Sequence, residues 1–85
     1  MLKVTRAVNR EVVFRLSGRM DAENLGELEG LLSAEDGNRK IVLDLKDMAL
    51  VDQDSVTFLR RCELQGIQLD NCPAYIREWI NGEQQ

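Results

Sequence analysis

The chain has no histidine among its 85 residues and only two cysteines, Cys62 and Cys72. Without an imidazole, no Ser-His or Cys-His nucleophile can be assembled. Two cysteines ten positions apart do not make a structural zinc site, and they are too few for a disulfide framework. Long apolar runs are missing as well, so membrane insertion is not expected, since a spanning helix needs about 20 such residues. The opening stretch MLKVTRAVNREVVF is interrupted by charge where a signal sequence would be apolar, and a cytoplasmic protein is expected. Basic clusters are also lacking: 11 Lys and Arg stand against 15 Asp and Glu, for a net charge of −4. Such a chain has no means of neutralising a phosphate backbone, which argues against nucleic-acid binding. Gly-rich phosphate-binding motifs are absent, so no cofactor is expected.

What remains is the composition of one globular α/β domain, 44% hydrophobic and 31% charged. Residues 1–85 are expected to form that single domain, with residues 80–85 as a flexible tail, polar from Asn81 onward. A chain this short buries a modest share of its surface, which leaves room for a protein partner or a homodimer.

Lys3–Val8 alternates weakly, and Val12–Leu16 reads as a stronger strand across a turn at Asn9-Arg10-Glu11. Gly18 is expected to end that strand. Asp21 is a suitable N-cap, and Leu25, Leu28, Leu31 and Leu32 recur at helical spacing as far as Asp36-Gly37, where Gly37 suits a left-handed helix end. Gly26 and Gly30 on this helix either allow close packing against a sheet or mark a weak exposed face. Ile41–Leu45 is nearly continuous in apolar residues, as in a central strand covered on both faces. Lys46–Leu50 is read as a connection. A second helix is expected over about 52–65, with Val56, Phe58, Leu59 and Cys62 inward and Leu64 off that face. Gly66 ends it, Ile67-Gln68-Leu69 makes a short strand, and Pro73 opens a last helix carrying Tyr75, Ile76, Trp79 and Ile80. The order is ββαβαβα, an α/β fold with a mixed, mainly parallel four-stranded sheet and helices packed on it.

Three stretches resemble, in order, the motifs of STAS domains, the family of anti-sigma-factor antagonists and the cytoplasmic parts of sulphate transporters. VVFRLSGRMDAENLGELEGLL is similar to that family's second strand, Gly-x-x-Asp turn and first helix. IVLDLKDMALVD is similar to its central strand, and DQDSVTFL to the Asp-Ser-Ser-Gly segment that opens its second helix. The likeness runs over roughly residues 3–69, beyond which CPAYIREWI stands in for the usual longer ending. It implies a non-enzymatic, bacterial signalling module that binds an anti-sigma factor or a serine kinase-like protein. In the family, that partner phosphorylates the second serine of the segment. Here Asp54 occupies the phosphoacceptor position, with Gln53 in place of the first serine and Ser55 in place of the glycine. The partner site implied comprises Asp21, Asp52, Gln53, Asp54 and Ser55. An accessory subunit that scaffolds a transporter or ATPase assembly is the alternative.

Simple physics offers a second account of these residues. A helix N-terminus has unpaired amides and partial positive charge, so Asp52 serves as an N-cap and Asp54 as a dipole-favoured first-turn acid. Asp54 equally supplies a permanent charge where a phosphate would otherwise sit. Ser55 offers a hydroxyl for modification. Asp21 and Asp44 are expected near the same entrance, and Asp44, Asp52 and Asp54 together would be an oxygen-rich Mg²⁺ site, with Lys46 the sole basic support for phosphoryl chemistry. Cys62 reads as core. Cys72, at a helix start, is either a thiol of lowered pKa or simple packing. Tyr75 and Trp79 are core residues or an apolar partner face.

Overall fold

Asn9 reverses the chain between the first two strands: its side-chain oxygen accepts hydrogen bonds from the amides of Arg10 and Glu11. This local turn leaves the flanking segments free to pair as a hairpin. The computed structural model describes residues 1–35 and 37–82. Its elements are β1 (Leu2–Val8), β2 (Glu11–Met20), α1 (Ala22–Ser33), β3 (Lys40–Val51), α2 (Gln53–Leu64), β4 (Gln68–Asp70) and α3 (Ala74–Gly82). The sheet order is β1-β2-β3-β4, with β1 antiparallel to β2 and the other pairs parallel.

Both crossovers step in the same direction across the sheet. Right-handed connections therefore lay α1 and α2 on one face. Leu28 of α1, Val56, Phe58, Leu59 and Cys62 of α2, and Ile76 and Ile80 of α3 join Val12, Phe14, Leu16, Leu43 and Leu45 in a single core. Strand alternation sends Val13, Arg15, Val42 and Asp44 to the opposite face. The run Ile41–Leu45 is thus covered by helices on one side, not two as its composition implied. Val42 is closed in between its strand neighbours Val13 and Gln68.

Several boundaries differ from the sequence reading. Gly18 does not end β2, which continues to Met20 through register shifts between Arg15 and Ser17 and between Gly18 and Arg19. The extra residues at these bulges lie on β3, and Gly18 keeps a register partner on each side, Leu2 and Met48. Lys46–Leu50 is not a connection but the second half of β3, paired with the end of β2. Helix α1 stops at Ser33 with Ala34 as its C-cap, so Gly37, although left-handed at φ 80°, lies beyond the cap; Asp36 lies outside the described residues. Ile80 is fully buried and α3 runs to Gly82, because the helix needs that last turn to seat Ile80. Of the expected tail 80–85, residues 83–85 lie outside the described residues.

The end of α2 follows the sequence reading closely. Gly66 at φ 97° donates to the Glu63 carbonyl at 3.1 Å, and Ile67 donates to the Cys62 carbonyl at 3.0 Å. This paired 5→2 and 6→1 pattern satisfies carbonyls that the helix itself leaves open. Arg77 of α3 then grips Glu63 through two bonds of 2.9 Å. Those bonds hold the Glu63 carboxyl below its ordinary pKa against the opposing effect of burial.

The two kinds of glycine make a direct comparison. Gly18 sits at φ 94°, and a Cβ there would fall 2.5 Å from the Met1 carbonyl oxygen, which already accepts from the Arg19 amide. A Cβ on helical Gly26 would meet nothing within 4 Å, so the exposed-face reading of that residue holds. Gly18→Ala is expected to destabilise the fold by about 1–3 kcal/mol, whereas Gly26→Ala is expected to stabilise it by about 0.5–1 kcal/mol. Urea midpoints of the two variants check both signs.

Candidate functional site

Met20 and Val51, the last residues of β2 and β3, are partners in register. The residues that follow them, Asp21 and Asp52, therefore emerge side by side, each at the start of a helix. Asp21 caps α1: its carboxylate accepts from the Glu23 amide at 3.1 Å, while the Asn24 side chain accepts from the Asp21 amide at 3.1 Å. The exchange is a capping box.

Asp52 does more than cap its own helix. Oδ1 accepts from the Ser55 amide at 2.9 Å and from the Ser55 hydroxyl at 2.7 Å. Oδ2 accepts from the Ala22 amide at 3.1 Å, the first residue of α1. One carboxylate therefore satisfies orphan donors of two helices and locks their N-termini together. The Ser55 hydroxyl first, and then the Ser55 amide, hold the Asp52 carboxyl below its ordinary pKa; slight burial opposes them and the Ala22 amide adds to them.

The residues of this junction play unequal parts. Ser55 is fully buried with its hydroxyl committed to Asp52, so it is a structural side chain in this conformation and not an exposed contact or acceptor for modification. Gln53 and Asp54 are exposed in the first turn of α2. Glu23, exposed in the first turn of α1, adds a second acid to the same end of the molecule. In the sequence Glu23 is only a first-turn acid of a separate helix; the register of β2 and β3 puts it beside Asp54's helix.

Asp44 does not join them. It lies on the helix-free face of β3, where its Oδ1 accepts from the Lys46 amide at 3.0 Å and from Asn71 Nδ2 at 3.1 Å, with Arg15 Nε 3.6 Å from Oδ2. Burial pushes its carboxyl up, but these bonds and the nearby Arg15 and Lys46 charges prevail, and the pKa is lowered. Its register partner Arg15 lies five strand steps of about 3.3 Å before Met20, the partner of Val51, so Asp44 is separated from Asp52 by more than about 15 Å. An Mg²⁺ site built on Asp44, Asp52 and Asp54 is thereby excluded, and no cluster of three metal-ligating side chains occurs among the described residues.

Burial dominates the state of both thiols. Burial pushes the Cys62 thiol up to about 11, and burial also raises that of Cys72, so the helix start does not activate the latter. Tyr75 and Trp79 are 46% and 37% exposed, flanking the buried pair Ile76 and Ile80. Tyr75 also has a fixed role. Strand β4 pairs with Val42–Asp44, the rest of that β3 edge has no strand beside it among the described residues, and the Tyr75 hydroxyl donates to the Ala49 carbonyl at 2.8 Å. The neighbouring Leu50 is 55% exposed. A groove of about 330 Å³ opens between the later turns of α1 and α2, with Leu32, Ile41, Phe58 and Ile67 in its lining and Glu29 at its edge. Nothing in the spacing of those residues announced it, since its lining comes from two helices, the start of β3 and the segment before β4.

With this geometry in view, comparison with known proteins gives a likeness of fold. No protein-family model matches the chain, and no curated protein does. Among solved structures, it is similar to an uncharacterized protein of the DUF3478 family with a SpoIIAA-like fold from Shewanella loihica PV-4. The TM-score is 0.54 at 14% identity, covering 80% of this chain and 61% of that one. This chain therefore spans about three fifths of that protein's length. It has the SpoIIAA-like α/β fold, the STAS-type architecture that its motifs resemble. No helix among the described residues is long and apolar enough to cross a membrane.

Loss of the bridging carboxylate should be costly and pH-dependent. Asp52→Ala is expected to lower stability at pH 7 by about 1–2 kcal/mol through lost capping. Because the folded pKa of Asp52 is depressed, its contribution is full above the unfolded value of about 3.9 and is lost as pH falls through the folded value. The gap between wild type and variant should therefore narrow on acidification, which urea denaturation at neutral and acidic pH measures. A gap that stays constant would show that the carboxylate charge is irrelevant to the cap.

Proposed function

We propose that this domain is a non-enzymatic regulatory module that binds a protein partner through the paired helix N-termini. The observation that carries the reading is a division of labour among acids. Asp52 and Asp21 are used up in capping, Ser55 is buried, and Asp54 stands exposed in the first turn of α2. Asp54 occupies the position that resembles the phosphoacceptor of anti-sigma-factor antagonists. Its charge is permanent, so binding here is unswitched by phosphorylation at this position.

The partner is an anti-sigma factor or a serine kinase-like protein, and its contact surface is basic to complement Asp54 and Glu23. Gln53 lies between the caps and Asp54 and supplies neutral hydrogen-bonding capacity to the same contact. The non-enzymatic reading is supported by the same layout: Asp21 and Asp52 are engaged in caps, Asp44 is held on the opposite face of the sheet, and both thiols are shifted towards the protonated form. Bacterial cytoplasmic signalling is the setting this role requires.

A second reading rests on the exposed Tyr75 and Trp79. With one polar surface at the helix N-termini and one aromatic surface on α3, the domain could serve as a scaffold between components of a transporter or ATPase assembly. Aromatic side chains of this kind contribute much of the energy where proteins meet.

The first reading is tested by capture from native lysate with wild type, Asp54→Ser and Asp54→Lys as baits, read by mass spectrometry. Reversal of the charge is expected to weaken partner binding about tenfold. Equal recovery by all three baits would remove Asp54 from the contact. A Tyr75→Ser, Trp79→Ser bait that alone loses its partners would favour the scaffold.

A further inference from the structure

Strand β1 ends the sheet on one side, with no strand beyond it among the described residues. Two backbone bonds at its ends fix its hydrogen-bond phase. The Arg19 amide donates to the Met1 carbonyl at 3.0 Å, and the Asn9 amide donates to the Glu11 carbonyl at 3.1 Å. Antiparallel neighbours alternate between pairs that exchange bonds and pairs that do not. The odd positions of β1 are therefore bonded to β2, and the even positions turn their amides and carbonyls outward. Leu2, Val4 and Val8 accordingly present backbone donors and acceptors along the open edge.

The usual guards against edge pairing are thin here. Strand β1 contains no proline, and its register with β2 runs from Leu2 to Val8 without a shift. The side of α1 that faces β1 is apolar as well. Glu35 reaches Arg6 of β1 through bonds of 2.9 and 3.0 Å. Leu31, one helical turn earlier, lies on that same side, away from Glu29 and Leu32 in the groove with α2. Leu31 is 37% exposed and Val8 is 42% exposed. The outward backbone of β1 is thus bordered on its helix side by two apolar side chains that the fold leaves uncovered.

A two-fold axis perpendicular to the sheet lays this edge antiparallel against its own image, with the helices of both copies on the same face. Outward positions must then meet outward positions, so the axis passes through a residue of β1. With the axis at Thr5, Leu2 lies opposite Val8, Lys3 opposite Ala7 and Val4 opposite Arg6. Every residue of the strand finds a partner and no two like charges are directly opposed. An axis at Arg6 or at Lys3 sets that charge against itself, and an axis at Val4 drops Ala7 and Val8 from the ladder. Thr5 is an odd position, so it meets its image in a pair without backbone bonds, where side chains come closest and two threonines can bond. We infer that the open edge of β1 is a docking surface for a second copy of this chain, the two joining antiparallel about Thr5 into one continuous sheet with α1 of each copy flanking the seam.

Seven residues at about 3.4 Å make a seam about 24 Å long. With the 21 Å least dimension of the molecule, that length bounds the contact at roughly 500 Å² per copy, or about 1,000 Å² in all, the lower limit for a specific interface. The dimer is accordingly reversible. It uses neither Gln53 nor Asp54, so its failure would leave the partner site proposed above untouched.

Sedimentation equilibrium of the full chain across concentration measures the association, with melting temperatures to confirm that each variant is folded. Val8→Pro removes an outward amide and leaves the bonds to β2 in place, so it is expected to weaken the dimer about tenfold. The register is read by cross-linking. Thr5→Cys puts a thiol beside its own image on the axis, and oxidised glutathione is expected to convert it to a covalent dimer. Lys3→Cys faces Ala7 of the other copy and is expected to give no more covalent dimer than the wild type, which controls for Cys62 and Cys72. A wild type that stays monomeric at millimolar concentration, a Val8→Pro variant that associates as well as wild type, or equal cross-linking of the two cysteine variants overturns the proposal.

Discussion

The direction of the two crossovers governs most of what this chain does. Because β2, β3 and β4 lie in sequence order, both right-handed connections fall on the same side of the sheet. One consequence is a single core, into which all three helices place their apolar residues. Another is that α1 and α2 begin next to each other, since the strand ends Met20 and Val51 are neighbours in register. A third is a sheet face with no helix on it. The side without a helix among the described residues carries charged side chains, the half-buried Val13 and the buried Val42.

The convergence of two helix N-termini creates an electrostatic demand as well as an opportunity. Each terminus presents unpaired amides and partial positive charge, and placing two together favours anions between them. Asp52 meets that demand from within the chain by accepting from both helices. Its charge is largely spent there. A neighbouring acid such as Asp54 is consequently the one left to face outward. The same physics explains why a carboxylate at this position can replace a phosphorylated serine in charge, though it has fewer acceptor oxygens to offer a partner.

The mismatch between β3, with twelve residues, and β4, with three, shapes the remaining edge. Among the described residues no strand lies beside β3 beyond Asp44 on that side, and unpaired edges invite unwanted pairing. Helix α3 addresses this by bringing the Tyr75 hydroxyl to the Ala49 carbonyl, while Ile76 and Ile80 enter the core and Arg77 clamps Glu63 of α2. The final segment is thus an integral wall of the domain, held by apolar burial, an ion pair and an edge bond.

Local chemistry alone determined much of this protein. The caps Asp21 and Asp52, the Gly66 helix end, the buried arc of α2 and the ββαβαβα order are all legible in the sequence because each rests on interactions within a few residues, or on period. Tertiary structure decided the rest. Gly18 could stay within a strand because the Met1 carbonyl occupies the space its missing side chain leaves. Lys46–Leu50 became strand because the end of β2 was there to pair with it, overriding a polar composition. Ser55 turned inward and Asp54 outward according to which side of α2 meets the core, and Cys72 lost any activation to burial. The joining of Asp52 to Ala22, thirty residues earlier, depends on strand register, which no local pattern encodes. The elements were written in the sequence; the site, made of contacts between elements, existed only once they had packed.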